Sequence, residues 1–218
     1  MNNLKLTNPY SFKKAPFKWI SYQNQIRRWK KERSKYGFSI QDTFELSTWF
    51  YYIIPEMVKI IKENKYGLPG FDFIEKYFDE HSALPISFEE YCNNVDFDDA
   101  IIKKINDDLL KAQDQLLDSI IYTFNESMEE TCSLKNEYEK EYYKAYDSFV
   151  NEYGNFGEKV TKKNEDGTRP VIFMGDIDKY KDIYNKYYSR EKEIEKYCDD
   201  NKKKALELFV KNIDLLWW

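Results

Sequence analysis

One apolar stripe in the middle of the chain constrains the fold more than any other feature. From Phe97 to Phe124 the apolar residues recur at steps of three or four, through Ile101, Ile105, Leu109, Ala112, Leu116 and Ile120. This is the spacing of one face of an α-helix, and a face of this length must be covered by another element. The stripe therefore predicts a long helix packed against partner helices.

Two further stripes repeat this spacing toward the end of the chain. Glycine (7) and proline (6) are scarce, so the chain lacks the turn residues that a many-stranded fold needs. We predict a mainly all-α fold in which the three stripes form an antiparallel helical bundle. The second stripe is Leu134, Tyr138, Tyr142, Ala145, Phe149 and Tyr153, and the third is Ile177, Tyr180, Tyr184, Tyr187, Ile194, Tyr197, Leu206, Phe209, Ile213 and Leu216.

Between the second and third stripes the sequence predicts a small β-hairpin. Asp166-Gly167 stands between two short runs whose composition suits strands. An Asp-Gly pair in that position is a strong local hairpin signal, because both residues tolerate the backbone of a tight turn. We expect a two-stranded ribbon at about 158–174 that projects from the bundle.

The N-terminal part is predicted to divide into an arm and a first helix. Residues 1–20 are polar, contain Pro9 and Pro16 and carry scattered aromatic side chains, which predicts an extended arm that docks on something. Residues 21–36 have strong helical propensity and end at Gly37. We therefore predict one helical domain over residues 21–218.

A second helix is predicted from about 43 to 65. Asp42 is placed to cap its start, and Glu45 follows three residues later, as in a capping box. Pro55 falls inside the apolar run of this segment. Because proline removes a backbone hydrogen bond and clashes with the preceding turn, we expect a kink or two abutting helices there.

Cysteine usage and hydropathy bear on the compartment. Cys92, Cys132 and Cys198 show no CxxC spacing, which favours reduced thiols over disulfides or zinc. No apolar run is long enough for a signal peptide or a membrane span. We predict a cytoplasmic protein without a membrane partner. The formal net charge of −5 is spread over a mixed surface, so a nucleic-acid partner is not expected either.

Catalytic motifs are sparse. His81 is the one histidine and has no nucleophile motif near it, and neither GxxxxGK[ST] nor GxGxxG occurs. Acidic clusters such as Asp96-Phe97-Asp98-Asp99 and Asp176-Ile177-Asp178 are candidate cation ligands, but they also stand where helices begin and acidic residues cap free amides. We predict no enzyme activity, no metal and no cofactor.

The most suggestive local feature is a basic, aromatic helix at 25–33, which holds three arginines beside a tryptophan. Guanidinium groups and stacking rings bind phosphates and bases. The alternative is an ordinary amphipathic helix with Ile26 and Trp29 packed inward. We predict a recognition surface for an anionic or base-containing partner, formed by Arg27, Arg28, Trp29, Arg33 and Lys65.

The last four residues, Leu215-Leu216-Trp217-Trp218, form a second unusual feature. Two exposed tryptophans would be costly, and a chain terminus frays unless it is docked. We expect this tail to pack against the bundle or against a sister subunit. The 19 tyrosines on helical stripes likewise suggest a face for a partner, so a homo-oligomer is expected.

Two separated blocks of sequence carry a family resemblance. The first runs from Asp42-Thr43-Phe44-Glu45-Leu46 through Trp49 and Pro55 to Tyr66-Gly67-Leu68-Pro69, and the second spans 204–210 and 214–218. They resemble a group of uncharacterised phage-encoded proteins with the pattern D-T-W-S-L-D, L-P-R-L, H-G-Y-P and G-L-x-L-F followed by L-W-D. The chain departs from this pattern at Phe44, Ser47 and Glu56. The resemblance implies a phage origin and brings no assigned activity.

These observations lead to one leading expectation and two alternatives. We expect a non-enzymatic phage accessory protein of the host bacterial cytoplasm that binds a host protein or sequesters a small nucleotide signal, in a counter-defence role. The first alternative is a phage structural or assembly protein that forms a homo-oligomer. The second is a metal-dependent nuclease or phosphodiesterase.

Overall fold

The computed structural model describes residues 7–44, 46–93 and 99–216. Within these ranges it has eight α-helices and no strand, and 70% of the described residues are helical. The prediction of a mainly all-α fold is therefore confirmed. The helices are α1 (Pro16–Tyr36), α2 (Ile40–Phe44), α3 (Leu46–Asn64), α4 (Phe71–Glu80), α5 (Phe88–Asn93), α6 (Ala100–Glu126), α7 (Glu139–Tyr153) and α8 (Asp178–Asn212).

The fold is organised around α6, which packs against α3 and against the C-terminal half of α8. Helix α8 runs antiparallel to α6, because Tyr197 donates to Glu126 at the end of α6, whereas Asn212 accepts from Lys76 of α4, which packs at the other end of α6. Helix α3 is also antiparallel to α6, since Phe50 near its start contacts Phe124 near the end of α6. Further along, Lys62 of α3 reaches Asp118, nearer the middle of α6. The N-terminal half of α8 runs antiparallel to α7, while α4 and α5 cover the other end of α6. Antiparallel packing is thus present, but α3 and not α7 lies beside α6, so the predicted bundle of the three stripes forms only in part within the described residues.

The first stripe is confirmed over most of α6, with two shifts. Ile105 and Leu109 are buried as predicted. Ile101, however, is 44% exposed, and its neighbour Ile102 is buried instead. Adjacent side chains on a helix point about 100° apart. Where two neighbouring residues are both apolar, the helices that pack against α6 decide which of the two is buried. A similar shift places Leu117 in the core, while Phe97 lies outside the described residues.

The α7–α8 pair is held by tyrosines. The rings of Tyr142 and Tyr187 stack with centroids 4.0 Å apart, and Tyr153 stacks on Phe149 at 5.3 Å. Such contacts add to the burial of the rings themselves. Tyr142 and Tyr180 are buried in this pair, and Tyr153 and Tyr187 are partly buried.

The predicted hairpin at 158–174 is wrong, since this segment contains no strand. A turn does form: Gly167 has a φ of +84°, and the backbone N–H of Asn164 donates to the Thr168 carbonyl at 2.8 Å. The backbone hydrogen bonds of a hairpin do not continue beyond this turn, because Pro170, in the segment after Gly167, has no N–H to donate. The backbone N–H of Ile172 instead donates to Phe156 outside the turn, at 3.1 Å.

The N-terminal helix begins earlier than predicted. It starts at Pro16, since proline suits the first turn of a helix, and it ends at Gly37 in the left-handed conformation. The described part of the arm lies back on α1 itself: Tyr10 packs edge-on against Tyr22, and Phe12 against Trp19. Residues 16–20 therefore belong to the helix and not to the arm.

The region after Gly37 also differs from expectation. Ser39 precedes α2, and Asp42 lies inside the helix, where its carboxylate accepts hydrogen bonds from the Ser39 backbone N–H (2.7 Å) and hydroxyl (2.9 Å). The cap is thus Ser39, and Glu45 lies outside the described residues. Helix α3 continues through Pro55, so no pair of abutting helices forms there. On either side of the proline, Ile54 and Val58 pack into the core.

None of the helices within the described ranges is both long enough and apolar enough to cross a bilayer.

Candidate functional site

Helix α1 has a buried side and an exposed side. Ile26 and Trp29 are buried, and Trp19, Tyr22 and Arg33 on the same side are partly buried. At 100° per residue, Arg27, Arg28, Lys31 and Lys35 fall within a sector of about 100° on the opposite side. All four are exposed. We call these four residues the basic face of α1.

The cations of the basic face point into solvent with few partners. Arg28 pairs with Glu32 at 3.2 Å, and its side chain remains 63% exposed. Arg27 makes only a long hydrogen bond of 3.4 Å to the amide oxygen of Asn24. Within the part of the chain that the structure describes, neither Arg27 nor Lys31 has an acidic partner. Unpaired cations on one side of a helix attract anions.

Two of the predicted site residues on α1 lie on the opposite side from the basic face. Trp29 is only 7% exposed and packs edge-on against Tyr22, with ring centroids 5.5 Å apart. Arg33 binds the carboxylate of Asp42 through two guanidinium nitrogens, one of them at 2.9 Å. Burial by itself would raise the pKa of Asp42, but hydrogen bonds from Arg33 and Ser39 outweigh it and lower the pKa. Arg33 therefore fastens α1 to α2.

The fifth predicted residue, Lys65, is engaged elsewhere. Its ammonium group pairs with Asp114 of α6 at 2.8 Å and donates to the side-chain oxygen of Gln113 at 3.2 Å. Helix α3 separates it from α2 by about 28 Å of helix length. The structure thus brings Arg27 and Arg28 together and places Trp29, Arg33 and Lys65 apart from them.

A charge asymmetry along the chain strengthens the basic face. Residues 1–36 contain ten basic residues and one acidic residue, a net charge of +9. Residues 37–218 contain 24 basic and 38 acidic residues, a net charge of −14, which together with +9 gives the overall −5. The overall net charge does not show this separation, whereas the net charge of each segment does. The positive field of α1 is therefore local and opposes the field of the bundle.

Exposed apolar residues flank the basic face at both ends of α1. Phe17 is 86% exposed and Ile20 is 46% exposed, and both lie on the outward side of the helix. At the other end, Tyr36, Phe38 and Ile40 line a shallow groove of about 350 Å³. A surface that alternates apolar and charged groups in this way has the composition of a protein interface.

A second, apolar groove of about 450 Å³ lies between α3 and the C-terminal end of α8. Its lining residues are Ile54, Met57, Val58, Ile61, Phe209, Ile213, Asp214 and Leu216. Trp217 and Trp218 follow directly in sequence but lie outside the described residues. Their burial stays a prediction.

Groups with catalytic potential are dispersed. His81 is exposed and stacks on Tyr77 at 4.1 Å. Asp99 accepts a hydrogen bond from the Ile101 N–H at the start of α6, and Asp176 accepts one from the Phe173 N–H, as expected for capping residues. In the ranges covered by the structure, no three Cys, His, Asp or Glu side chains converge where they could hold a metal ion. Asp96 and Asp98 fall outside those ranges.

Comparisons with known proteins give no further assignment. No family model matches the chain, and no curated protein and no solved structure matches it either. The resemblance to the phage-encoded group therefore stays a prediction.

Proposed function

We propose that the protein is a non-enzymatic binding protein that recognises an acidic protein partner through the basic face of α1. The main observation behind this proposal is that the basic face, formed by Arg27, Arg28, Lys31 and Lys35, points outward into solvent. In addition, residues 1–36 carry a net positive charge, whereas residues 37–218 carry a net negative charge. Charged groups of this kind increase the rate and specificity of association with an oppositely charged surface.

The geometry favours an extended partner over a small nucleotide. The outward side of α1 from Phe17 to Lys35 is convex and about 27 Å long. Trp29 is turned into the interior, so it offers no stacking surface beside Arg27 and Arg28. Small ligands bind in concave sites that bury most of their surface. A partner protein with acidic groups around an apolar patch matches both the cations and the exposed Phe17.

The biological setting of this proposal follows the resemblance given above. The protein would be a phage accessory factor that acts in the host bacterial cytoplasm, where it binds a host protein in a counter-defence role. The charge separation and the exposed apolar residues of α1 are compatible with this setting, since both suit a surface that meets another protein.

Capture from host lysate by immobilised protein tests the proposal. The wild type is compared with the double variant Arg27→Glu/Arg28→Glu and with a matched control, Lys103→Glu/Lys104→Glu. The control changes the net charge by the same amount at an exposed basic pair on α6. We expect the α1 variant to lose the captured protein and the α6 variant to retain it. Elution by rising salt should release the partner, because the attraction between exposed charges is screened.

Two outcomes would contradict the proposal. Equal capture by the α1 variant and the wild type would show that the basic face is only a solvated surface. Capture that depends on nucleic acid, and disappears after nuclease treatment of the lysate, would show that the partner is not an acidic protein. Labelled single-stranded DNA and polyglutamate, titrated into the purified protein, distinguish the two kinds of polyanion directly.

Self-association is a second candidate function, in which the protein is a phage structural or assembly component. The observation that favours it is the opposite charge of residues 1–36 and 37–218, which makes one copy complementary to another. A contact between unlike surfaces can produce rings or filaments. Sedimentation velocity at low and high salt tests this: self-association should weaken with salt and with Arg27→Glu/Arg28→Glu. A monomer at all salt concentrations would exclude it.

A further inference from the structure

Two cysteines that are 66 residues apart in sequence meet in the interior. Cys132 lies in the connection between α6 and α7, and Cys198 lies in α8. They pack together beside Ile194, with 2% and 1% of their surfaces exposed. The Cys132 thiol donates to the Leu134 carbonyl at 3.3 Å, and Cys198 lies in the same buried cluster. The third cysteine, Cys92, is exposed and separate from them.

A buried carboxylate holds the two cysteine-bearing segments in place. Glu126, at the C-terminal end of α6, is 5% exposed. One of its oxygens accepts hydrogen bonds from the Ser133 backbone N–H (3.0 Å), the Ser133 hydroxyl (2.7 Å) and the Tyr197 hydroxyl (2.7 Å). Ser133 and Tyr197 are the sequence neighbours of the two cysteines. The same carboxylate therefore holds the Ser133 backbone directly and contacts α8 through the Tyr197 side chain.

We infer that Cys132 and Cys198 form a modification site, in which a low-molecular-weight disulfide such as oxidised glutathione converts the two thiols into a disulfide that joins the α6–α7 connection to α8. The inference is independent of the partner proposed for α1. It rests on the packing of the two cysteines in one buried cluster, although they lie far apart in sequence, and on the Glu126 hydrogen bonds to their neighbours.

The reaction is an ordinary thiol–disulfide exchange in two steps. One cysteine, as its thiolate, attacks a sulfur of oxidised glutathione; a protein–glutathione disulfide forms and one glutathione thiolate leaves and takes up the proton. The second cysteine then loses its proton and attacks the protein sulfur of that mixed disulfide, so a second glutathione thiol leaves. The protein loses two electrons and two protons, and one glutathione disulfide becomes two glutathione thiols.

Burial makes this reaction slow in the folded protein. Desolvation and the neighbouring Cys132 raise the pKa of the Cys198 thiol to about 12, so little reactive thiolate is present at neutral pH. The oxidant must also wait for a local opening of the structure. The pair therefore stays reduced during brief exposure to oxidants, and the test must allow the reaction to reach equilibrium.

The experiment measures the effective concentration of one thiol toward the other. The variant Cys92→Ser, which removes the exposed thiol, is refolded and equilibrated in glutathione buffers of known composition and, in parallel, in the same buffers with denaturing urea. After an acid quench and alkylation, mass spectrometry quantifies the peptides that carry Cys132 and Cys198 as a linked pair. The ratio of linked to free peptide gives the effective concentration in each solvent.

We expect the effective concentration in the folded protein to exceed that in urea by at least about tenfold, because the fold removes the entropy cost of closing a long loop. The positioning role of Glu126 is tested in the same background. Glu126→Gln should lower the value in the folded protein several-fold and leave the value in urea unchanged, whereas Glu195→Gln, at an exposed site on α8, should change neither.

Two results would overturn the inference. One is an equal or lower effective concentration in the folded protein than in urea. The other is a folded protein whose equilibrium product is glutathionylated at one cysteine and free at the other. Circular dichroism of each variant confirms that the folded arm of the experiment measures folded protein.

Discussion

Helix α6 and helix α1 have nearly opposite relations to the rest of the molecule. Along α6 a full apolar stripe is buried, and Phe124 and Leu109 are fully enclosed. Along α1 only Ile26 and Trp29 are buried, and the cations on the outer side face solvent. The bundle core therefore supplies the stability of the fold, while α1 presents a basic surface to solvent.

The largest expected effect is on the bundle. Phe124 is enclosed by Phe50, Tyr51 and Phe209, so Phe124→Ala leaves a cavity where α3, α6 and α8 meet. We expect the free energy of unfolding to fall by about 3–5 kcal/mol. Urea denaturation followed by circular dichroism measures it. A loss below about 1 kcal/mol, within the range of a surface substitution, would show that this junction is not the core.

The next effect concerns Glu126. Although burial by itself would raise its pKa, hydrogen bonds from Ser133 and Tyr197 outweigh this and lower the pKa of Glu126. The charged form is thus stabilised by folding, and its contribution is present above the ordinary pKa of a glutamate and lost as the pH falls through the lowered value. Glu126→Gln should cost about 1–3 kcal/mol at neutral pH.

The pH profile gives the control for that substitution. The difference between wild type and Glu126→Gln in urea midpoint should shrink as the pH is lowered below the glutamate range, because protonated Glu126 has also lost its charge. A difference that stays constant with pH would show that the charge of Glu126 does not contribute to the network.

A smaller effect is expected where α1 is attached. Arg33→Ala removes the charge-assisted hydrogen bonds to Asp42 and leaves that buried carboxylate with Ser39 alone. We expect a loss of about 1–2 kcal/mol. Hydrogen–deuterium exchange should increase in α1 and α2 and stay constant in α6. Uniformly faster exchange across the bundle would show that α1 is part of the central core.

The smallest effect on stability is expected at the basic face. Arg27→Glu/Arg28→Glu changes exposed charges, so the melting temperature should move by no more than about 2 °C. Differential scanning calorimetry beside Lys103→Glu/Lys104→Glu provides the comparison. A large drop confined to the α1 variant would assign these arginines a structural role.

The sequence allows the helical part of the fold to be predicted, because stripes with helical spacing lead directly to α6, α7 and α8. It does not choose between adjacent apolar residues such as Ile101 and Ile102, since only the packing of neighbouring helices decides that. The predicted hairpin does not form, because Pro170 lacks the N–H that would extend strand pairing from the Asp166-Gly167 turn. Local turn chemistry alone does not make a sheet.

The candidate site was predictable only in part. Arg27 and Arg28 are adjacent to Trp29 and Arg33 in sequence, and the pattern alone does not say which side of the helix faces inward. That choice depends on Asp42, which holds Arg33, and on Tyr22, which packs on Trp29. The contact between Cys132 and Cys198 was beyond any local pattern, because it exists only when α8 is folded against the end of α6.

The most direct test of the account is the reactivity of single lysines toward an acetylating reagent, with the protein free in buffer and with the protein in host lysate. Mass spectrometry compares Lys31 and Lys35 on the basic face with Lys103 and Lys104 on α6, all four of which are exposed in the free protein. If α1 is the recognition surface, Lys31 and Lys35 lose reactivity several-fold in lysate while Lys103 and Lys104 keep theirs. Equal reactivity at all four positions, or protection on α6 alone, would contradict the central claim that the basic face of α1 binds the partner.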